Sequence, residues 1–191
     1  MKKYQIIYAD PPWSYRNYSN QWHKDNPKSR WVGNQYNTMS IKEIKSLPIQ
    51  DISDDNCVLF LWTTPPNLDV AFEVIKAWGF NYKTKGFSWV KRNKKVNSLF
   101  WGMGFWTRAN TEDCLLCTKG KPKRVDAGVH QVIESPIREH SRKPDEARDR
   151  IVKLLGDLPR IELFAREKTE GWDVWGNEVE SDIDLINEEK K

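Results

Sequence analysis

Two apolar runs, each cut off by paired prolines, set the fold class of this chain. Tyr4–Ala9 (YQIIYA) is β-branched and aromatic and stops at Asp10-Pro11-Pro12, and Cys57–Trp62 (CVLFLW) stops at Thr-Thr-Pro-Pro. Runs of this length without polar alternation read as strands buried on both faces, and a proline, with fixed φ and no N–H, ends them. Helical signals lie between. Ser40-Ile-Lys-Glu43 is a capping box opening a short helix to about Leu47. A second helix is predicted from about Leu68 to Trp78, closed by Gly79, and a third from Glu146 to about Leu155 after Pro144, with Ile151, Leu154 and Leu155 on one face. Further strands are predicted at Tyr82–Val90, Glu112–Thr118, Arg160–Ala165 and Trp172–Val179. Strands alternating with helices predict an α/β fold, a Rossmann-like, mostly parallel sheet with helices on both faces. A single domain over residues 1–179 is expected, followed by an acidic C-terminal tail, 180–191, that frays.

A mean hydropathy of −0.76 and the lack of any apolar run near about 18 residues argue against a membrane span. The start of the chain has no signal-peptide core, so a cytoplasmic location, in a prokaryote or a phage-infected host cell, is expected. Cys57, Cys114 and Cys117 are too few and too apolar in context for a disulfide framework, and Cys114-Leu-Leu-Cys117 lacks the second pair that a zinc site needs. His130 and His140 have no metal partner at usable spacing, so no metal is expected. The net charge of +4 is regional: residues 81–124 hold eleven Lys/Arg against two Asp/Glu, while residues 170–191 hold two against eight. Of ten tryptophans, Trp13, Trp22, Trp31, Trp89, Trp101 and Trp106 lie in or beside basic segments. Cations meet phosphates and flat rings stack on exposed bases, so the mixture suits nucleic acid; a solvated lysine-rich surface over buried tryptophans fits the composition equally.

In open α/β sheets ligands bind beyond the carboxyl ends of the strands, which is where Asp10-Pro11-Pro12-Trp13 falls. Its composition suits one reaction. The exocyclic amine of adenine is a poor nucleophile because its lone pair is delocalised into the ring. A carboxylate and a carbonyl accepting its two N–H bonds would localise that pair; Asp10 offers the first and the Pro11 carbonyl the second. Pro11 and Pro12 fix the backbone and bring no competing donors. Trp13 would give a flat face for a base taken out of its stack. As a bare tetrapeptide the segment is equally an ordinary turn after a strand.

The surrounding motifs decide between these. Leu59-Phe-Leu-Trp62, Trp89-Val-Lys91, Gly104-Phe-Trp106, Glu112-Asp-Cys-Leu-Leu, Lys119-Gly-Lys-Pro122, Ser141-Arg-Lys-Pro-Asp-Glu146, Ile161-Glu-Leu-Phe-Ala-Arg166 and Trp172 with Trp175-Gly-Asn-Glu178 occur together and in order. In these residues the chain resembles the MT-A family of S-adenosylmethionine-dependent N6-adenine methyltransferases, and within it the small phage and bacterial DNA adenine methyltransferases. The resemblance runs from about residue 5 to 179. It implies a class I methyltransferase fold in permuted order, with the catalytic loop first and the cofactor strand last. It makes Asp10, Pro11, Pro12 and Trp13 the catalytic loop, and it implies S-adenosylmethionine as cofactor with S-adenosylhomocysteine as product. Ala9, Asp10, Lys143, Phe164, Arg166, Lys168, Asn177 and Glu178 are the implied cofactor residues. Lys143 would meet the cofactor carboxylate, and Asn177 with Glu178 the ribose and adenosine. Taken singly, Lys143 is also what a solvated residue before a helix looks like, and Glu178 an acid in an acidic tail. Relatives often carry Gln where Glu178 stands, and Ala165 and Glu167 also depart from the family pattern. With Asp10 ten residues from the start, no accessory RNA-binding domain is expected.

Nucleic acid is the expected partner, DNA ahead of RNA. Two segments would clasp it: the loop Ser14–Gln35, with Tyr15, Arg16, Lys24 and Arg30, and the basic stretch Lys83–Arg108, with Trp106 and Arg108, followed by Glu112. In the family the second segment also joins subunits, so a homodimer through residues 91–110 is expected to share it. A partner subunit that keeps the fold and loses the chemistry is the competing reading; such subunits lose the Asp-Pro-Pro-Trp acceptors, and this chain keeps all four.

Overall fold

The computed structural model describes residues 2–13, 39–102, 104, 106–139 and 142–186. Among these residues, seven strands form one sheet: β1 (Tyr4–Ala9), β2 (Ser53–Thr63), β3 (Asn81–Arg92), β4 (Thr111–Lys119), β5 (Val132–Pro136), β6 (Arg160–Leu163) and β7 (Asp173–Trp175), in spatial order β5-β3-β4-β2-β1-β6-β7. β1 pairs in parallel with β2 and β6, β6 with β7 and β3 with β5, whereas β4 runs antiparallel to both of its neighbours. The sheet is therefore mostly parallel, as the alternation of elements predicts.

Strict alternation along β2 divides the core in two. Cys57, Leu59 and Leu61 face one side, with Ile44 of α1 (Ile41–Ser46), Ile49 and Ile52 of α2 (Ile49–Ile52) and Val70, Ala71, Val74 and Ile75 of α3 (Leu68–Ala77). Val58, Phe60 and Trp62 face the other, with Ala147, Ile151 and Leu155 of α4 (Glu146–Leu155). Each fully buried large side chain contributes roughly 1.5–3 kcal/mol. Both helix ends read from the sequence are built as read. Ser40 Oγ accepts from the Glu43 N–H while Glu43 accepts from the Ser40 N–H, and α3 closes on Gly79 at φ 80° with Phe80 N–H reaching the Ile75 carbonyl.

The structure differs from the sequence expectation in four places. β2 starts at Ser53, four residues before the apolar run, because it hydrogen-bonds straight out of α2, which the sequence reading did not include. β5 was also not expected; it is an edge strand that buries only Ile133 and ends on Pro136, so it shows neither a continuous apolar run nor clear alternation. The last strand stops at Trp175, not Val179. The acidic tail does not begin as a frayed segment at residue 180: Asp182 N–H bonds the Val174 carbonyl, and Leu185 is buried in the core with Ile183 packed against it. Two apolar side chains alternating with acids suffice to lay the chain back onto the domain.

Candidate active site

β1 lies inside the sheet between β2 and β6, and Asp10 is the first residue past its carboxyl end. Because β4 is antiparallel, its beginning lies at that same end, which brings in Glu112; the end of β3 brings Lys91, opposite Trp89–Glu112 in the register. Lys143 enters from the segment leading to α4. Its Nζ lies 2.7 Å from Asp10 Oδ2 and 3.2 Å from Glu112 Oε2, and Lys91 donates to the other oxygen of Glu112. Four alternating charges, Lys91, Glu112, Lys143 and Asp10, thus run across the carboxyl edge of three strands. Trp89 lies 5.0 Å beneath the Lys91 ammonium and Trp62 5.7 Å from that of Lys143, so the cations rest on aromatic faces.

Burial would by itself push the Glu112 carboxyl up, but Lys143 and Lys91 overcome it and hold the group below its ordinary value. Burial would likewise lower the Lys143 ammonium, and Asp10 and Glu112 outweigh it and raise it above the ordinary lysine value. Both groups stay charged at neutral pH. A carboxyl depressed on folding stabilises the fold fully above its unfolded value of about 4.3, and that contribution is lost as pH falls through the lower folded value. Glu112→Gln is therefore expected to cost about 1–3 kcal/mol at pH 7, with the gap from wild type closing below about pH 4; denaturant melts at both pH values measure it. An equal gap at pH 7 and pH 3 would contradict the assignment.

The loop itself is fixed by hydrogen bonds. Trp13 N–H donates to the Pro11 carbonyl (2.8 Å) and Met39 N–H to that of Pro12 (3.3 Å). The Pro11 oxygen keeps a second lone pair. Trp13 is not the open platform its place in the motif suggested: it is 5% exposed, packs in the core and donates its indole N–H to the Trp62 carbonyl at 2.9 Å, so it braces the loop from below.

The expected cofactor residues gather past β6 and β7. Ala9 ends β1 between Leu61 and Leu163. Phe164 follows β6 at φ 61°, in the left-handed region, and packs edge-to-face on Trp175 with ring centroids 5.4 Å apart. Gly176 lies so close to this turn that a Cβ there would meet the Ala165 carbonyl at 2.1 Å. Asn177 and Glu178 are exposed beyond it, Glu178 within 3.8 Å of Arg166, and a depression of about 620 Å³ opens beside Trp175, Asn177, Ser181 and Asp182. Lys168 forms an exposed pair with Asp182 of that depression at 2.7 Å. Of the expected substrate residues, Glu112 belongs to the charged cluster, Trp106 and Arg108 are exposed, and Tyr15, Arg16, Lys24 and Arg30 lie outside the described residues. So does His140. Among the described residues no group of His, Cys, Asp and Glu is arranged to hold a metal, the three cysteines are buried thiols, and no helix is long and apolar enough to cross a membrane. Lys91 was not among the expected site residues; its signal was its place at the end of a strand whose partner begins with Glu112.

A mostly parallel sheet carrying a charged cluster at the carboxyl end of β1, with polar groups past β6 and β7, has the form of a Rossmann-like methyltransferase fold. The chain belongs to the MT-A70 family, whose sequence model matches residues 4–178. It is 38% identical over 191 aligned residues to the type II methyltransferase M.MunI of Mycoplasma sp., covering 93% of this chain and 78% of that protein. It is 30% identical to the human N(6)-adenosine-methyltransferase catalytic subunit METTL3 and to the Drosophila melanogaster N(6)-adenosine-methyltransferase MT-A70-like protein, covering 93% and 98% of this chain and 28% of each of those proteins. The chain is a methyltransferase.

Proposed function

We propose that this methyltransferase transfers a methyl group from S-adenosylmethionine to the exocyclic N6 amine of adenine in DNA. The observation that carries the reading is Asp10, set by two prolines at the carboxyl end of β1 and held by Lys143 at 2.7 Å beside the buried Glu112. The likeness to a type II methyltransferase across 93% of the chain favours DNA, and the basic charge on the segments flanking the site suits nucleic acid of either kind.

The donor set fits the cofactor: Lys143 matches a carboxylate, Asp10 an ammonium or amine, and exposed Asn177 and Glu178 can donate to and accept from ribose hydroxyls. Lys143, Ala9, Asp10, Phe164, Arg166, Asn177 and Glu178 would hold it. When bound, S-adenosylmethionine supplies an electrophilic methyl group on a sulfonium. Asp10 and the second lone pair of the Pro11 carbonyl accept the two amine N–H bonds and draw the nitrogen lone pair out of the adenine ring. As the nitrogen gains positive charge, both acceptors bind it more strongly, which lowers the barrier. The proton released afterwards is taken at the Asp10 carboxylate, which is open enough to pass it to solvent. Lys168 pairs with Asp182, which lines the depression beside Asn177.

The test is transfer of labelled methyl from S-adenosylmethionine to matched DNA and RNA oligonucleotides, single and double stranded, with nucleoside mass analysis and an Asp10→Ala control. N6-methyladenine on DNA, lost in the control, is the expected result. Product on RNA alone would change the polymer. No transfer to either, with cofactor bound, would make the chain a silent nucleic-acid-binding partner subunit.

A further inference from the structure

Beyond the charged cluster, β3 and β4 continue into a paired arm. Lys91 N–H bonds the Asn110 carbonyl and Phe100 N–H the Lys91 carbonyl, while Gly102 and Ala109 exchange both backbone hydrogen bonds at 2.8 and 3.1 Å. The tip is tight: a Cβ on Gly104 would meet the Thr107 carbonyl at 2.1 Å, so only glycine fits. This tip holds Trp106 99% exposed, with Trp101 70% exposed on the stem. An indole that a built turn pushes wholly into solvent does nothing for the fold.

We propose that Trp106 is a wedge that enters the base stack of duplex DNA and holds the gap left when the target adenine swings out toward Asp10. The inference rests on the function proposed above and adds to it the residue that opens the duplex. Charge favours nucleic acid as what the wedge meets: residues 91–110 hold five Lys/Arg and no Asp/Glu, a composition that attracts a polyanion. The stem pair Gly102–Ala109 lies only three residues from Glu112, roughly 10 Å of extended chain, so the arm that carries Trp106 springs from the strand that carries Glu112 of the charged cluster. Unstacking one base pair step costs energy that an inserted flat ring returns. Arg108, exposed two residues further along the arm, supplies a cation for a phosphate beside the gap.

Two readouts test this without knowledge of the target sequence. The first is methyl transfer by wild type, Trp106→Ala and Trp106→Phe to native and to heat-denatured adenine-unmethylated phage DNA, which contain the same sites. Trp106→Ala is expected to lose on the order of tenfold more activity on native than on denatured DNA, with Trp106→Phe between. The second needs no catalysis: permanganate attack on thymines left unpaired in duplex fragments bound with S-adenosylhomocysteine. Wild type is expected to create reactive thymines and Trp106→Ala to abolish them while still shifting the DNA in gels. Equal losses on the two forms of DNA, unchanged thymine reactivity, or no reactive thymines with wild type would each overturn the wedge. A variant that turns a dimer into a monomer would overturn it in favour of an interface between copies. If wild type methylates no DNA yet opens thymines through Trp106, the wedge stands and the proposed reaction falls.

Discussion

Asp10→Ala is expected to lower methyl transfer to DNA on the order of 10²- to 10⁴-fold, the range for removing one group that handles charge or a proton at a reacting atom. Its interaction with the amine is weak while the nitrogen is planar and neutral and strong once that nitrogen is cationic. The loss should therefore fall on kcat, with KM for DNA little changed. Asp10→Asn keeps an acceptor oxygen and drops the charge, so it should lie between alanine and wild type. Lys143 keeps Glu112 at 3.2 Å when Asp10 is gone, which protects the buried ammonium from being stranded and should leave the fold intact. Single-turnover transfer with saturating cofactor, beside a thermal melt of each variant, measures this. An alanine variant within about threefold of wild type would remove Asp10 from the chemistry.

The position of Asp10 was legible in sequence because prolines and apolar runs act locally: Tyr4–Ala9 is a strand at the residues expected, and the next residue has to lie at its end. Gly79 and the Ser40 capping box were legible for the same reason. What was not legible depends on partners far along the chain. Glu112 was expected with the substrate residues, but its buried pairing with Lys143 and Lys91 follows from β4 running against its neighbours, and strand direction is not written in the strand's own residues. Trp13 reads as a platform in the motif; its burial is set by Ile44, Leu47 and the Trp62 carbonyl, 31 or more positions away. The same limit hid the split among the tryptophans. Trp89 lies in a basic segment and is buried, while Trp106 in the same segment is fully exposed. Composition could not separate them because it counts both as aromatic beside lysine.

The second large effect is one of stability, and it lies on the other face of the sheet. Arg148 of α4 forks onto Glu162 of β6, with Nε–Oε2 at 2.6 Å and Nη2–Oε1 at 2.9 Å, both side chains being over nine-tenths buried. Its Nη1 donates to Asp145 at 2.8 Å and its guanidinium lies 5.9 Å from the Tyr8 ring, whose hydroxyl accepts from the Trp62 indole at 2.7 Å. Burial pushes the Glu162 carboxyl up, Arg148 pulls it down, and the balance lies above the ordinary value. The cost of burying this carboxylate thus exceeds what its partner returns. A carboxyl raised on folding stabilises most at low pH, and that contribution is lost as pH rises through the folded value. At neutral pH the pair is held in place by the fold and is not what holds the fold up. Glu162→Ala is accordingly expected to cost about 3–5 kcal/mol, because it strands a buried guanidinium, while Arg148→Met with Glu162→Leu should recover most of that loss. Denaturant unfolding of both variants at pH 7 decides it. A single variant within about 1 kcal/mol of wild type would mean that the guanidinium is not stranded, and a double variant no better than the single would mean that the pair contributes to stability in its own right. Recovery in the double variant would instead leave Arg148 the task of fixing Asp145, two residues from Lys143, which labelled-cofactor binding by the stable double variant can then measure.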